Sequence, residues 1–144
     1  WTGTPVMLPF TNARVSGSRV YISGHSPLKP DGSLAQPLGK VGAGVSLDDA
    51  YLQAQRTMLA VLSSLKRAIG DLDRVSAWLR LFGMVNVAPG FNQTPAVING
   101  ASDLLLDLYG PEIGAHARSA VGMGPLPGTL AVEIEAIFEL HQAP

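Results

Sequence analysis

A long apolar repeat between Ser46 and Gly70 constrains the fold more than any other stretch of the chain. Its apolar residues recur at spacings of three and four, which is the period of one face of an α-helix. Ser46 and Asp49 resemble a capping box with Asp in place of the usual Glu, and Gly70 is a typical helix terminator. The pattern therefore predicts an amphipathic helix of about six turns.

The rest of the chain alternates between strand and helix signals. Thr94-Pro95 is typical of a helix start, and Gly110-Pro111 predicts its end. The predicted order is β-β-α-β-α-β-β, with strand pairs at both ends. We therefore expect an α+β fold in which two helices cover one face of a mixed sheet, as a two-layer single domain over residues 1–144. The predicted strands are Val6–Phe10 and Arg19–Gly24 around a break at Asn12–Ser18, then Val75–Val87, Ala117–Met123 and Ala131–Leu140.

Composition excludes several functional classes. The net charge is −1 and no cluster of Lys or Arg occurs, which argues against a nucleic-acid backbone as the main partner. The chain has no cysteine, so thiolate zinc sites and cysteine nucleophiles are excluded, and a reducing, cytoplasmic location is expected. No apolar run is long enough to span a bilayer. With 47% apolar and 15% charged residues, some apolar surface is expected to lie in an oligomer interface.

The C-terminal stretch HARSAVGMGPLPGTLAVEIEAIFEL carries the clearest candidate chemistry. Two apolar runs flank a Gly/Pro-rich break, and a hairpin between them would place Arg118 opposite Glu133 or Glu135. Such a pair has two interpretations. It is either a cross-strand ion pair on a solvated sheet face, or a site in which Arg118 binds a carboxylate beside a glutamate that moves a proton or orients water.

Other candidates are weaker. His25 follows the strand end Ser23-Gly24, where it is either an ordinary loop histidine or a cleft residue. Asn99, beside Gly100 in the second helix, either marks close packing or reaches a ligand or partner subunit. The three histidines lack metal-binding spacing, so no metal is expected, and no Rossmann, P-loop or serine-hydrolase motif occurs.

The sequence Arg-Ser-x-Val, followed by Leu-Pro and then Val-Glu-Ile-Glu-Ala, resembles the C-terminal signature of the reactive-intermediate deaminase (Rid, or YjgF-like) family, once labelled L-PSP endoribonucleases. The fifteen-residue interval from Arg118 to Glu133 agrees with the family spacing. Tyr21-Ile-Ser-Gly24 and Asn99 also fall in the family order, and VINGASDLL is similar to a less-studied branch.

The resemblance implies a chorismate-mutase-like fold and a homotrimer with clefts between subunits. It implies that Arg118 clamps the carboxylate of a 2-imino or 2-enamino acid while Glu133 positions water for hydrolysis to a 2-keto acid and ammonia. No metal or organic cofactor is needed for this chemistry. The other pocket residues it implies are Phe10, Ser23, Gly24, His25, Asn99 and Ala120.

Three positions depart from the family pattern. His25 stands where Gln is usual, Ala120 where Cys is common, and Phe10 where Tyr is frequent. These changes spare Arg118 and Glu133 but alter the pocket wall, and His25 would add a group that can titrate near neutral pH. The sequence thus predicts an imine deaminase, with a non-catalytic trimer that binds small carboxylates as the alternative and RNA cleavage third.

Overall fold

The computed structural model describes residues 7–142, in which two helices cover one face of a five-stranded mixed sheet. The α+β class and the two-layer arrangement expected from the sequence are confirmed. A separate pair of two-residue strands lies in the long loop after β2. The elements are β1 Ala13–Ser16, β2 Arg19–His25, β3 Lys40–Val41, β4 Gly44–Val45, α1 Leu47–Ile69, β5 Val75–Asn86, α2 Thr94–Ile113, β6 Ala117–Met123 and β7 Val132–Leu140, with short 3₁₀ turns at Leu72–Arg74 and Pro127–Thr129.

Helix α1 has the predicted boundaries. The Ser46 side chain accepts a hydrogen bond from the Asp49 backbone N–H at 3.0 Å, and Gly70 ends the helix with a φ of 84°. The cap satisfies one of the orphan N–H groups of the first turn, and glycine adopts a positive φ at little steric cost. The sequence signals at both ends therefore act as predicted.

Helix α2 packs closely on α1 at Gly100. A β-carbon at this position would overlap the Tyr51 backbone carbonyl oxygen and lie 3.3 Å from the Ala54 β-carbon. Of the two interpretations of Asn99-Gly100, close packing holds for the glycine. The regular helix breaks at Gly110, where φ is 77°, and one further turn continues to Ile113 past the stop predicted at Gly110-Pro111.

The predicted C-terminal hairpin is wrong. The strand order is β1-β2-β7-β5-β6, so β5 lies between β6 and β7. β6 pairs in parallel with β5, whereas β7 pairs antiparallel with both β2 and β5. The reason is that β5 is a long apolar strand that pairs along both edges, and the short Gly/Pro break did not reveal this insertion.

The N-terminal strand is also displaced from its prediction. Residues 7–10 form no strand, while Val6 lies outside the described residues. Instead β1, Ala13–Ser16, falls inside the predicted break and pairs with β2 around a tight turn at Gly17. Gly17 adopts a positive φ of 61°, which allows the chain to reverse within two residues, so the turn is shorter than the break predicted at Asn12–Ser18.

The two faces of the sheet differ in their covering. The helix side is buried, and Trp78 and Phe138 pack there with ring centroids 5.0 Å apart. The other face has no covering layer within residues 7–142, and Tyr21 on it is 44% exposed. Neither helix described is long and apolar enough to cross a membrane.

Candidate active site

Arg118 and Glu133 lie on opposite faces of the sheet of one chain. Arg118 is in register with Leu81, a buried residue of the helix side, while Glu133 is in register with Met84 three residues further along β5. Successive side chains of a strand alternate between faces, so an odd separation places the two groups on different sides. The sheet of a single chain therefore does not bring the predicted pair together.

Arg118 is held against the first turns of α2. Its Nη1 donates to Asn99 Oδ1 at 2.8 Å and to Ser102 Oγ at 3.1 Å, and its Nη2 donates to the Pro95 carbonyl oxygen at 3.4 Å. β6 is an edge strand of the sheet, which leaves the half-buried guanidinium at an open margin. Only part of its five N–H groups is used, so the rest can bind an anion.

A cavity of about 480 Å³ opens beside this arginine. Its wall contains His116 and Ser102, which the sequence analysis did not single out. His116 Nε2 lies 2.8 Å from Ser102 Oγ, and His116 Nδ1 lies 2.7 Å from the Gly114 carbonyl oxygen. The remaining lining residues are Asn99, Asp103, Leu106, Ala115 and Arg118.

Ala120 enters the site through its backbone. Its carbonyl oxygen accepts a hydrogen bond from Thr94 Oγ1 at 2.9 Å, which ties β6 to the start of α2. Helix α2 starts at Thr94 as predicted, but no side chain caps this end, and the Thr94 hydroxyl donates to Ala120 instead. The bond helps to fix the distance between Arg118 and α2.

Glu133 stands on the open face beside the end of β2. Burial raises the pKa of its carboxyl above the usual 4.5, and the nearby charge of Glu135 raises this pKa further. Gly24 makes room for it, since a β-carbon at position 24 would lie 3.0 Å from Glu133 Cδ and Oε1. A carboxyl group with a raised pKa is protonated more readily than an ordinary glutamate, which suits a group that accepts and returns a proton.

A second cavity, of about 390 Å³, lies on the same open face. Phe10 and Ser23 line it, together with Glu135 rather than Glu133. Ser23 Oγ donates to the Thr11 carbonyl oxygen at 2.7 Å, so this hydroxyl is already engaged. The cavity also contains polar and aromatic groups that were not predicted, namely Arg14, Arg80 and Tyr21.

His25 does not line either cavity. A bulge in β2 places two residues, Ser23 and Gly24, against one residue of β7, and His25 turns into the layer between sheet and helices. There it is 7% exposed, with Nδ1 2.6 Å from the Ser23 carbonyl oxygen and Nε2 2.8 Å from Ser64 Oγ on α1. The predicted pocket residue is thus a buried hydrogen-bonded histidine, because the bulge reverses the face that simple alternation assigns to it.

The predicted residues consequently form two groups in one chain. Asn99, Ala120 and Arg118 gather near α2, whereas Phe10, Ser23, Gly24 and Glu133 lie on the other face. Sequence spacing contained a signal for the missed residues, since His116 is two positions before Arg118 and directly precedes β6, and Ser102 is one helical turn after Asn99. Within residues 7–142 no group of three or more His, Asp or Glu side chains could hold a metal ion.

Comparison with known proteins identifies the family. Residues 7–132 match the family described as "YjgF/chorismate mutase-like, putative endoribonuclease". The chain belongs to this family. It is 40% identical to Protein TCP17 of Trypanosoma cruzi over 126 residues, which are 88% of this chain and 78% of that protein.

Solved structures of this YjgF-like family agree with the fold. Atu1372 of Agrobacterium tumefaciens superposes with a TM-score of 0.87 at 36% identity, covering 93% of this chain and 84% of that one. A Shewanella oneidensis protein described as a "putative endoribonuclease" gives 0.88 at 28% identity, covering 95% and 89%. The Escherichia coli YjgF product, at 19% identity and a TM-score of 0.65 over 95% and 91% of the chains, shares the fold.

Proposed function

We propose that this YjgF-like protein hydrolyses reactive 2-imino and 2-enamino acids to 2-keto acids and ammonia. The proposal rests on the free N–H groups of Arg118 and on the burial and raised pKa of Glu133. Arg118 presents a partly unoccupied guanidinium beside a cavity, and Glu133 is a half-buried carboxyl with a raised pKa. A fixed cation for a carboxylate and a group that exchanges protons are what the reaction needs.

The proposed active site lies between subunits of a homotrimer. Arg118 and Glu133 are on opposite faces of one sheet, so one chain does not supply both walls of a pocket. An edge-strand arginine of one copy can approach the open sheet face of another copy, where Glu133 and the partly exposed Tyr21 lie. The uncovered face supports such an association because the apolar side chains of Phe10 and Tyr21 are exposed on it, and clusters of exposed apolar groups often mark interfaces.

In the proposed mechanism Arg118 binds the substrate carboxylate through paired N–H donors. Glu133 accepts a proton from a water molecule as the water oxygen attacks the C=N carbon. The glutamic acid then returns the proton to nitrogen, and the carbinolamine collapses to the 2-keto acid with release of ammonia. A 2-enamino acid must first tautomerise to the imine. The residues require no metal or organic cofactor for these steps.

The test is ammonia release from 2-iminobutyrate or 2-iminopropionate generated in situ. We expect Arg118→Ala and Glu133→Gln to lower kcat/KM by about 10²- to 10⁴-fold, the usual contribution of positioned acid–base and binding groups. Arg56→Ala is the matched control, because this exposed arginine donates to the Gln36 carbonyl oxygen at 3.4 Å and lines neither cavity. Ammonia release no faster than in buffer, or an Arg118→Ala variant as active as the wild type, would refute the proposal.

A specific observation favours one alternative, a trimer that binds small carboxylates without turnover. The cavity beside Arg118 is formed within one chain, whereas Glu133 lines neither cavity described here. Carboxylate binding by calorimetry without product formation would support this alternative. RNA cleavage ranks third, and RNA that stays intact with the purified protein would exclude it.

A further inference from the structure

When the His116 ring is neutral, its two partners determine the direction in which each proton is donated. The Gly114 carbonyl oxygen can only accept, so His116 Nδ1 carries the proton at 2.7 Å. In the neutral ring, Nε2 is then an acceptor, and the Ser102 hydroxyl donates to it at 2.8 Å. The serine therefore has no proton left to donate elsewhere.

This direction determines what Ser102 offers to Arg118. The lone pairs of its oxygen face Arg118 Nη1 at 3.1 Å, alongside the Asn99 oxygen at 2.8 Å. Two acceptors on one nitrogen, from residues one helical turn apart, restrict rotation of the guanidinium plane. The longer contact from Nη2 to the Pro95 carbonyl oxygen, at 3.4 Å, restricts it less.

We propose that His116, acting through Ser102, is a positioning residue for Arg118. The inference rests on the proposed role of Arg118 in carboxylate binding. His116 is joined to β6 and Ser102 to α2, so the chain of bonds also locks the edge strand to the helix beside the cavity. We call the His116–Ser102–Arg118 hydrogen bonds the relay. With the relay intact, the remaining guanidinium N–H groups are held in one orientation, so that a carboxylate can bind them without first ordering the side chain.

The bonding pattern distinguishes this role from simple packing. A residue that only fills space can be replaced by one of similar volume, but the relay needs an acceptor at the position of His116 Nε2 and a hydroxyl at position 102. His116→Leu removes the acceptor, whereas His116→Gln can place its amide oxygen near the same point. Ser102→Ala removes the hydroxyl, and Ser102→Thr retains it.

The experiment measures calorimetric binding of 2-oxobutyrate and steady-state deamination for each variant, with thermal unfolding to verify the fold. We expect Ser102→Ala and His116→Leu each to raise Kd and KM about tenfold, with kcat changed less than threefold. Ser102→Ala removes the bond to Arg118, and His116→Leu removes the acceptor that orients the Ser102 hydroxyl. The double variant should bind no more weakly than Ser102→Ala alone. His116→Gln and Ser102→Thr should recover most of the affinity. Ser63→Ala, which removes another arginine-bound hydroxyl on α1, is the control and should bind like the wild type.

The outcomes separate the two proposals. If Arg118→Ala loses binding while Ser102→Ala and His116→Leu bind like the wild type, the positioning role is overturned and the carboxylate site stands. Additive losses in the double variant also overturn it, since His116 would then act independently of Ser102. If the wild type binds no carboxylate, the proposed role of Arg118 fails and the positioning role falls with it.

Discussion

Two histidine networks in this protein use the same sequence of bonds in different surroundings. In each, Nδ1 contacts the carbonyl oxygen two residues earlier, Nε2 contacts a serine hydroxyl, and that serine accepts from an arginine. In the first network, His25 and Ser64 are buried beneath β2, whereas Arg67 is exposed. The second, His116–Ser102–Arg118, lines a cavity. Identical hydrogen bonding is therefore structural where the histidine and serine are buried, and it can serve ligand binding where a cavity adjoins it.

The largest effect is expected where the helices that carry the two serines cross. Gly100→Ala should destabilise the protein by about 3 kcal/mol or more, because the new methyl group overlaps the Tyr51 carbonyl oxygen and backbone cannot yield cheaply. Chemical denaturation would measure this loss. Asp107→Ala, at an exposed position of the same helix, is the control and should change stability by less than about 0.5 kcal/mol. A fully stable Gly100→Ala protein would contradict the close crossing.

The buried network should make stability depend on pH. Burial lowers the pKa of His25 below 6.5, the bond to the Ser23 carbonyl opposes this shift, and the Arg67 charge adds to the lowering. As the pH falls below about 6.5, the unfolded chain takes up a proton that the folded protein does not. The free energy of unfolding should therefore decrease by up to about 1.4 kcal/mol per pH unit until the lowered pKa is reached.

Denaturant titrations at several pH values would measure this slope. His25→Gln should flatten it because the titrating group is removed, whereas Ser63→Ala should preserve it. An equal slope in His25→Gln and the wild type would show that other groups cause the acid sensitivity.

These contrasts also show what the sequence could and could not predict. The boundaries of α1 and β2 follow from periodicity and capping, which are local properties. The placement of β5 between β6 and β7 depends on pairing between distant segments, so the predicted hairpin failed. His25 was misplaced for a related reason: one extra residue in the bulge reverses the face of the residues after it. Gly24 is a residue type that often marks a bulge, but it was interpreted as the end of the strand.

In the candidate site, too, local sequence patterns identified some residues, and contacts between distant segments determined the others. Arg118 and Glu133 were selected through family spacing, which is independent of the strand order. His116 and Ser102 were missed because the hydrogen bond between them depends on how the segment before β6 packs on α2. In the sequence, only the spacing from His116 to Arg118 and from Ser102 to Asn99 pointed to these two residues.

Removing the serine hydroxyl should reduce the free energy of unfolding more in the His25 network than in the His116 network. Ser64→Ala is expected to cost about 1–3 kcal/mol, because it leaves His25 Nε2 unpaired in a buried site. Ser102→Ala should cost about 1 kcal/mol or less, since water in the cavity can replace the hydroxyl at His116. Thermal and chemical unfolding of the two variants would give the difference. Equal losses would show that water does not reach the second network.

The smallest effect is expected at the outer contact between the two helices. Tyr51 OH donates to Asp103 Oδ2 at 2.6 Å on the exposed surface. Tyr51→Phe should reduce stability by about 0.5 kcal/mol, because an exposed hydrogen bond is largely replaced by water. A loss above about 2 kcal/mol, measured by the same denaturation, would indicate that this bond couples the helices more strongly than its exposure suggests.

The position of β7 in the sheet has a consequence for the order of folding events. Residues 132–140 form the middle strand, yet they leave the ribosome after every other strand of the sheet. The β1–β2 hairpin and the β5–α2–β6 unit can form earlier, but each keeps an unpaired edge until β7 arrives between them. A translational pause or a chain break before residue 132 would therefore expose two aggregation-prone edges at once, and growing chains would need protection until synthesis has passed this segment.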